Sequence, residues 1–248
     1  MKHNFSEFNA SVNLPLIPVV LLHGWEGSLN SLNPLAEELS HKLPFRIINL
    51  ELPGFGKTDL PKEIMCTEDY ADFITDFLND QGIAKTILVG HSFGGKTAIC
   101  FTLNHPDKVD QLILINSSGI KPNNSTKKFF FKTLAAFAPK KLKQSGFLRR
   151  LFYKKIVREN DYLNASNLKA SLSKIVEEHF DERLQAIDLR TLIIWSQKDS
   201  YVPLWMGELI KSKIRNSKLE VIENETHGLP LKKPELVADI ISKFLKDT

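Results

Sequence analysis

Gly90-His91-Ser92-Phe93-Gly94, followed by Gly95, stands directly behind the apolar run Thr86–Val89 and ahead of a helical stretch through Lys96, Thr97, Ala98, Ile99 and Cys100. A serine between strand and helix, with glycine two positions to either side, fits a sharp turn that strains the serine backbone and exposes its hydroxyl. Such a turn brings the Cα atoms two positions to either side close together, so the residues there must be small, a demand that Gly90 and Gly94 meet. A helix starting behind Ser92 also aims unpaired N–H groups at any negative charge developing there. The chemistry served would be nucleophilic attack. A serine hydroxyl is a poor nucleophile alone, so a base and a group to orient that base must lie elsewhere in the chain. Without them the pentapeptide is only a glycine-rich turn.

Of the seven histidines, His227 lies in Glu225-Thr226-His227-Gly228, between the last apolar run and the last helical stripe. That places it on a loop at the C-terminal rim of a sheet, the rim that also carries Ser92. His91 points elsewhere on the elbow, and His23 opens a different loop that it supports structurally. Asp199, in Ser196-Gln197-Lys198-Asp199-Ser200, follows the run ending near Trp195 and reaches the same rim. There a carboxylate can accept from His227 and stabilise its cation.

The elements that must position these residues are short apolar runs at Ile17–Leu22, Phe45–Leu50, Thr86–Val89, Leu112–Ile115, Leu189–Trp195 and Leu219–Ile222. Their continuous apolar character suits strands buried on both faces of a parallel sheet. Tyr70, Phe73, Ile74, Phe77 and Leu78 repeat at helical spacing, with Thr67 as the expected N-cap. Leu236, Val237, Ile240, Ile241, Phe244 and Leu245 form a second stripe, opened by Pro234. Alternating strands and helices predict an α/β fold with a doubly wound, mostly parallel sheet. A seventh strand could precede Pro15. The rhythm breaks after Ile115, and from Ser117 to about Glu182 no strand is expected.

In chain order Ser92, Asp199 and His227 resemble the nucleophile, acid and base of the α/β-hydrolase superfamily, and the resemblance spans nearly the whole chain. Leu21-Leu22-His23-Gly24-Trp25 is similar to that family's oxyanion loop, which implies oxyanion-hole donors at the N–H groups of Trp25 and Phe93. Leu50-Glu51-Leu52-Pro53-Gly54-Phe55-Gly56-Lys57-Thr58-Asp59 resembles the turn after the next strand. There the family usually has aspartate where this chain has Glu51, a departure expected to be structural. Some members place the acid one strand earlier; here that position reads Asn116-Ser117-Ser118, which favours Asp199. An aspartate in place of Ser92 would have suggested dehalogenase or epoxide hydrolase chemistry. Serine implies acyl transfer to water: a serine esterase of carboxylesterase or lactonase type, cleaving a small-molecule ester or lactone through an acyl-enzyme. Hydrolysis or lysis of a carbon–carbon bond by the same triad, and a non-catalytic binding protein on this scaffold, remain the alternatives. No metal or organic cofactor is implied.

A chain of 248 residues with 42% hydrophobic and 25% charged residues suits one α/β domain with a modest insertion, not a disordered protein. The division expected is a hydrolase core at 1–117 and 183–248, and a helical cap at 118–182. No apolar run reaches the roughly 20 residues of a transmembrane span. Met1–Ala10 has no apolar stretch of a signal peptide, which points to the cytoplasm. The two cysteines, Cys66 and Cys100, lack metal or redox spacing and read as structural thiols. Lys121–Arg158 holds 12 Lys and Arg with no Asp or Glu, leaving 33 − 12 = 21 basic against 29 acidic residues elsewhere. Phe129, Phe130, Phe131, Phe137, Phe147, Phe152 and Tyr153 lie among those cations. Either the phenylalanines face the site beneath solvated lysines, or the cations form a landing surface for an acidic acyl carrier or an anionic surface. Nothing else in the chain resembles a nucleic-acid module.

Overall fold

The computed structural model describes residues 1–9, 17–122 and 159–247, with side chains in the last stretch from residue 167 onward. The strands are β1 (Asn4–Phe8), β2 (Val19–Leu22), β3 (Ile47–Glu51), β4 (Thr86–His91), β5 (Val109–Ile115), β6 (Arg190–Ser196) and β7 (Ser217–Ile222). The helices are α1 (Leu29–Lys42), α2 (Thr67–Asp80), α3 (Phe93–Asn104), α4 (Glu159–Glu177), α5 (Leu204–Lys213), α6 (Leu229–Lys232) and α7 (Pro234–Lys246).

The six expected runs all form strands, and the seventh strand is β1. It pairs antiparallel with β3, while every other neighbouring pair in the order β1-β3-β2-β4-β5-β6-β7 is parallel. Alternate strand residues feed two cores. Val19, Leu21, Ile87, Val89, Ile113 and Ile115 face α1 and α7. Val20, Leu22, Leu88, Leu112, Leu114 and Trp195 face α2, α3 and α5. Each such fully buried side chain contributes about 1.5–3 kcal/mol of burial energy. The chain steps from β2 outward to β3, then crosses back to β4 on the far side of β2. The connections that follow β2 and β4 therefore run toward opposite edges of the sheet, and the C-terminal ends of these two strands lie side by side where the strand order reverses.

At the start of α2 the cap is Cys66, not Thr67, which is the first helical residue. Thr67 directs its N–H (2.9 Å) and its hydroxyl to the Glu178 carboxylate, while Asp69 accepts the Cys66 N–H at 2.5 Å. Burial pushes the Cys100 thiol up to about 12, as suits an inert structural thiol.

Of the region 118–182, residues 118–122 and 159–182 are described. Lys140, Lys141, Lys143, Arg149 and Arg150, and the phenylalanines from Phe129 to Phe152, lie outside the described residues. The helix α4 is fastened to the core at several points. Asn167 donates to Lys62 O (2.7 Å), Met65 N–H donates to Ser171 Oγ (2.8 Å), and the buried Lys96 ammonium donates to Ile175 O. Burial drives the Lys96 pKa down to about 8 despite the attraction of Glu178. Phe180 N–H donates to Gly119 O (2.8 Å) and Lys121 N–H to Asp181 Oδ1 (3.2 Å), so the chain returns beside the point where it left.

Glu51, only 2% exposed, joins three elements. It accepts from the Asn4 amide of β1 (2.6 Å), from Leu29 N–H at the start of α1 (3.0 Å) and from Lys57 N–H in the glycine-rich turn (2.6 Å). Burial alone would raise its pKa. Those hydrogen bonds from Lys57, Asn4 and Leu29, with His23 nearby, outweigh it and hold the carboxyl below the usual range. The departure at this position is structural, as expected. Glu51→Gln, which removes the charge and turns one acceptor into a donor, should cost about 1–3 kcal/mol at neutral pH. A depressed folded pKa means that this contribution is complete above the ordinary glutamate range and fades as pH falls through the lowered value. Urea unfolding at about pH 7 and about pH 3 should show the gap between wild type and variant narrowing at the lower pH.

Candidate active site

Ser92 sits between β4 and α3 with φ 55° and ψ −113°, a left-handed conformation that costs a non-glycine residue about 1–3 kcal/mol. The surroundings hold it there. Its N–H donates to Ile115 O (3.1 Å), and its carbonyl accepts from Lys96 N–H (3.1 Å), Ser118 N–H (3.0 Å) and the Ser118 hydroxyl (3.2 Å). The glycines behave as the turn requires: a Cβ on Gly90 would lie 2.5 Å from Gly94 O, and one on Gly94 would lie 2.6 Å from His23 O. Gly95 meets the same limit, since its Cβ would lie 2.7 Å from Ser117 Cβ.

Three residues far apart in sequence meet above this turn. His227 Nε2 lies 2.9 Å from Ser92 Oγ, and His227 Nδ1 lies 2.7 Å from Asp199 Oδ2. The Asp199 side chain is wholly buried. Its other oxygen, Oδ1, accepts from Tyr201 N–H (2.8 Å) and Val202 N–H (3.0 Å), which fixes the carboxylate plane. A carboxylate accepts only, so neutral His227 carries its proton on Nδ1. Nε2 is then left as the acceptor for the serine hydroxyl. This tautomer is the one a general base needs.

The loop after β2 approaches the same point. His23 is buried, and its Nδ1–H donates to Gly24 O (2.8 Å) while its Nε2 accepts from Leu52 N–H (3.0 Å). Burial lowers its pKa, against the opposing effects of the Gly24 bond and the Glu51 charge, so the ring serves as a neutral brace. This is the supporting role expected of it. A Cβ on Gly24 would stand 3.2 Å from Ser92 Cβ, a measure of how closely the loop and the elbow approach. Trp25 and Phe93 stack edge to face at 5.1 Å between ring centroids, and Phe55 and Tyr70 extend the aromatic wall. Among the described residues, neither the Trp25 N–H nor the Phe93 N–H has a backbone acceptor. The elbow helix begins at Phe93, whose N–H is one of the unpaired donors of a first turn.

His91 does not point idly elsewhere on the elbow. Its Nε2 lies 3.0 Å from His227 O, and Asn116 Nδ2 reaches the same oxygen at 3.1 Å. Sequence reasoning missed both contacts. The signal available was that a polar residue, His91 or Asn116, stands just after each of the apolar runs Thr86–Val89 and Leu112–Ile115.

A family model described as the alpha/beta hydrolase fold matches residues 17–148. A 2-hydroxy-6-oxononadienedioate/2-hydroxy-6-oxononatrienedioate hydrolase of Escherichia coli is 27% identical over 257 residues, covering 92% of this chain and 86% of its own. Among solved structures, a thermophilic esterase from Thermogutta terrifontis superposes with TM-score 0.75 at 22% identity, covering 99% of this chain and 93% of its own. A meta-cleavage product hydrolase from Pseudomonas fluorescens superposes with TM-score 0.74 at 21% identity, covering 99% of this chain and 94% of its own.

The strain at Ser92 has a measurable consequence. Ser92→Gly should be more stable than Ser92→Ala by about 1 kcal/mol or more, because glycine takes up φ 55° freely. Equal thermal midpoints for the two variants would show that the turn is not strained.

Proposed function

This chain belongs to the alpha/beta hydrolase fold family, and from that premise we propose that it is a serine hydrolase cleaving a carboxylic ester or lactone through an acyl-enzyme. The observation that carries this reading is the unbroken chain of contacts from Asp199 through His227 to Ser92, at 2.7 and 2.9 Å. In this scheme Ser92 Oγ attacks the acyl carbonyl carbon as His227 Nε2 takes the hydroxyl proton. The new imidazolium is stabilised by Asp199, and the tetrahedral oxyanion is received by the N–H groups of Trp25 and Phe93. Collapse breaks the bond to the alcohol oxygen, which leaves with the proton from His227. Water, deprotonated by the same histidine, then releases the acid and restores Ser92.

A second reading, hydrolysis of a carbon–carbon bond by the same three residues, draws on the Escherichia coli relative and on the oxo-dienedioate its name states. Turnover of graded p-nitrophenyl esters, several lactones and a 2-hydroxy-6-oxo-dienoate separates the two. An inert binding protein on this scaffold would turn over none of them and would not react with a fluorophosphonate.

We further propose that 118–182 forms a cap whose cations, Lys140, Lys141, Lys143, Arg149 and Arg150 among them, receive an acidic acyl carrier or an anionic surface. Support for this is the run of 12 cations without an acid in a chain otherwise net acidic. Reversing those charges, or raising salt, should lower kcat/KM for an acyl-carrier substrate and spare a short neutral ester, since exposed charges are screened over about 8–10 Å. Equal responses of the two substrates would make the cations an ordinary solvated face.

For the triad itself, Ser92→Ala and His227→Ala should each lower kcat by about four to six orders of magnitude, with Asp199→Asn roughly one to two orders less severe. Wild-type activity should rise with pH along an acidic limb as a histidine loses its proton, because the neutral ring is the base. Near wild-type turnover in Ser92→Ala, or a flat profile from about pH 5 to 9 with chemistry rate-limiting, would remove the assignment.

A further inference from the structure

A base that must hold two hydrogen bonds at once, one to a nucleophile and one to an acid, needs a fixed backbone as well as a fixed ring. His227 stands on a connection between β7 and α6 and has no regular element of its own. What fixes it comes from the ends of the three strands β4, β5 and β6. His91, the last residue of β4, approaches His227 O with Nε2 at 3.0 Å; a carbonyl only accepts, so that nitrogen carries the proton. Asn116, directly after β5, donates through Nδ2 to the same oxygen at 3.1 Å. Ser196, the last residue of β6, donates its hydroxyl to the preceding carbonyl, Thr226 O, at 2.9 Å.

Asn116 is itself locked from every side. It is fully buried at φ 43°, its N–H donates to Ile194 O (3.0 Å), and its Oδ1 accepts Ser196 N–H (2.7 Å). Its Nδ2 also reaches Ser196 Oγ at 3.0 Å. An aspartate here would accept from Ser196 but turn a second lone-pair-bearing oxygen toward His227 O. Only an amide satisfies both sides. His91 is likewise buried, and burial first, then the neighbouring His227, push its pKa down to about 3. It therefore stays a neutral donor throughout the range in which a histidine base titrates.

We propose that Asn116 and His91 are positioning residues for the base, holding the main-chain carbonyl of His227 so that its ring spans Ser92 and Asp199 together. This rests on the reading of His227 as the base. A displacement of about 1 Å in a reacting group can cost on the order of a hundredfold in rate, so loss of either donor should be visible in turnover.

The test compares Asn116→Ala, Asn116→Asp, His91→Leu and His91→Gln, the last of which can place an amide donor near the original Nε2. Active sites are titrated with a fluorophosphonate, and kcat is expressed per titrated site on a p-nitrophenyl ester. Expected is a loss of about tenfold to a hundredfold in kcat for Asn116→Ala, Asn116→Asp and His91→Leu, with KM within about twofold and His91→Gln recovering most of the rate. The second readout needs no substrate: the low-field proton NMR signal of His227 Nδ1–H, which reports its bond to Asp199. It should broaden or vanish in the three disruptive variants and persist in His91→Gln. Variants that lose thermal stability or titratable sites, yet keep wild-type kcat per site and an unchanged low-field signal, would overturn the proposal. Should wild-type enzyme fail to react with the fluorophosphonate, the reading of Ser92 falls, and the NMR comparison alone still decides whether Asn116 and His91 hold the His227 ring.

Discussion

Gly94 packs against the carbonyl oxygens of Leu22 and His23, and Gly90 packs against Gly94 and Gly95. This approach of one backbone to another, with no side chain between, is the constraint on which the rest of the rim depends. It lets α3 start so close to β4 that Ser92 takes up φ 55°, and it seats the loop after β2 against the elbow. A methyl group on Gly94 would push that loop off the turn and separate the Trp25 and Phe93 N–H groups from the serine they flank. The strain is local, and the packing of two apolar cores around the sheet over-determines it.

The rim is also a meeting place of unlike polar devices, each buried and each satisfied. Glu51 joins β1, α1 and the turn after β3; His23 joins the loop after β2 to Leu52; Asn116 joins β5 to β6 and to the loop of His227. Partly satisfied, such groups would each cost more than an apolar residue in the same place. Fully satisfied, they specify one relative placement of the loops. Apolar packing of the helices on the sheet, which is non-directional, does not.

Much of this is legible in the sequence. Apolar runs marked the five inner strands because burial on both faces favours that composition; β7, a half-exposed edge strand, was marked only by Leu219, Val221 and Ile222. The glycines at 90 and 94 marked the elbow because no larger residue fits. Ser92, Asp199 and His227 stood out because each follows a strand end on one rim. What escaped was whatever depends on pairs distant in sequence and unremarkable in type. The contact of His91 with the carbonyl of His227 spans 136 positions and involves a backbone atom, so no residue pattern announces it. Thr67 looked like a helix cap until Glu178, 111 residues away, proved to engage its N–H and hydroxyl. The pairing of β1 with β3 was legible only as a strand of unknown partner. Its residues are half-buried, and their pattern says nothing of direction.

The two hydrogen bonds that tie Gly119 to Phe180 and Lys121 to Asp181 have a consequence in polymer terms. Seen from the sheet, everything between those pins is an excursion whose two ends are held a hydrogen bond apart. The register of β5 against β6 is then indifferent to how long the excursion is. For a flexible chain, closing a loop costs free energy only with the logarithm of its length, about 0.6 kcal/mol for each doubling. Additions between Lys121 and α4 would therefore weigh little on the register of the sheet, whereas deletions within α4 would break its ties to Lys62, Met65 and Lys96 and remove Ile175 from the core. The distance that the two pins fix is thus set by Gly119, Lys121, Phe180 and Asp181 themselves, and β5 and β6 keep their pairing whatever length of chain separates them.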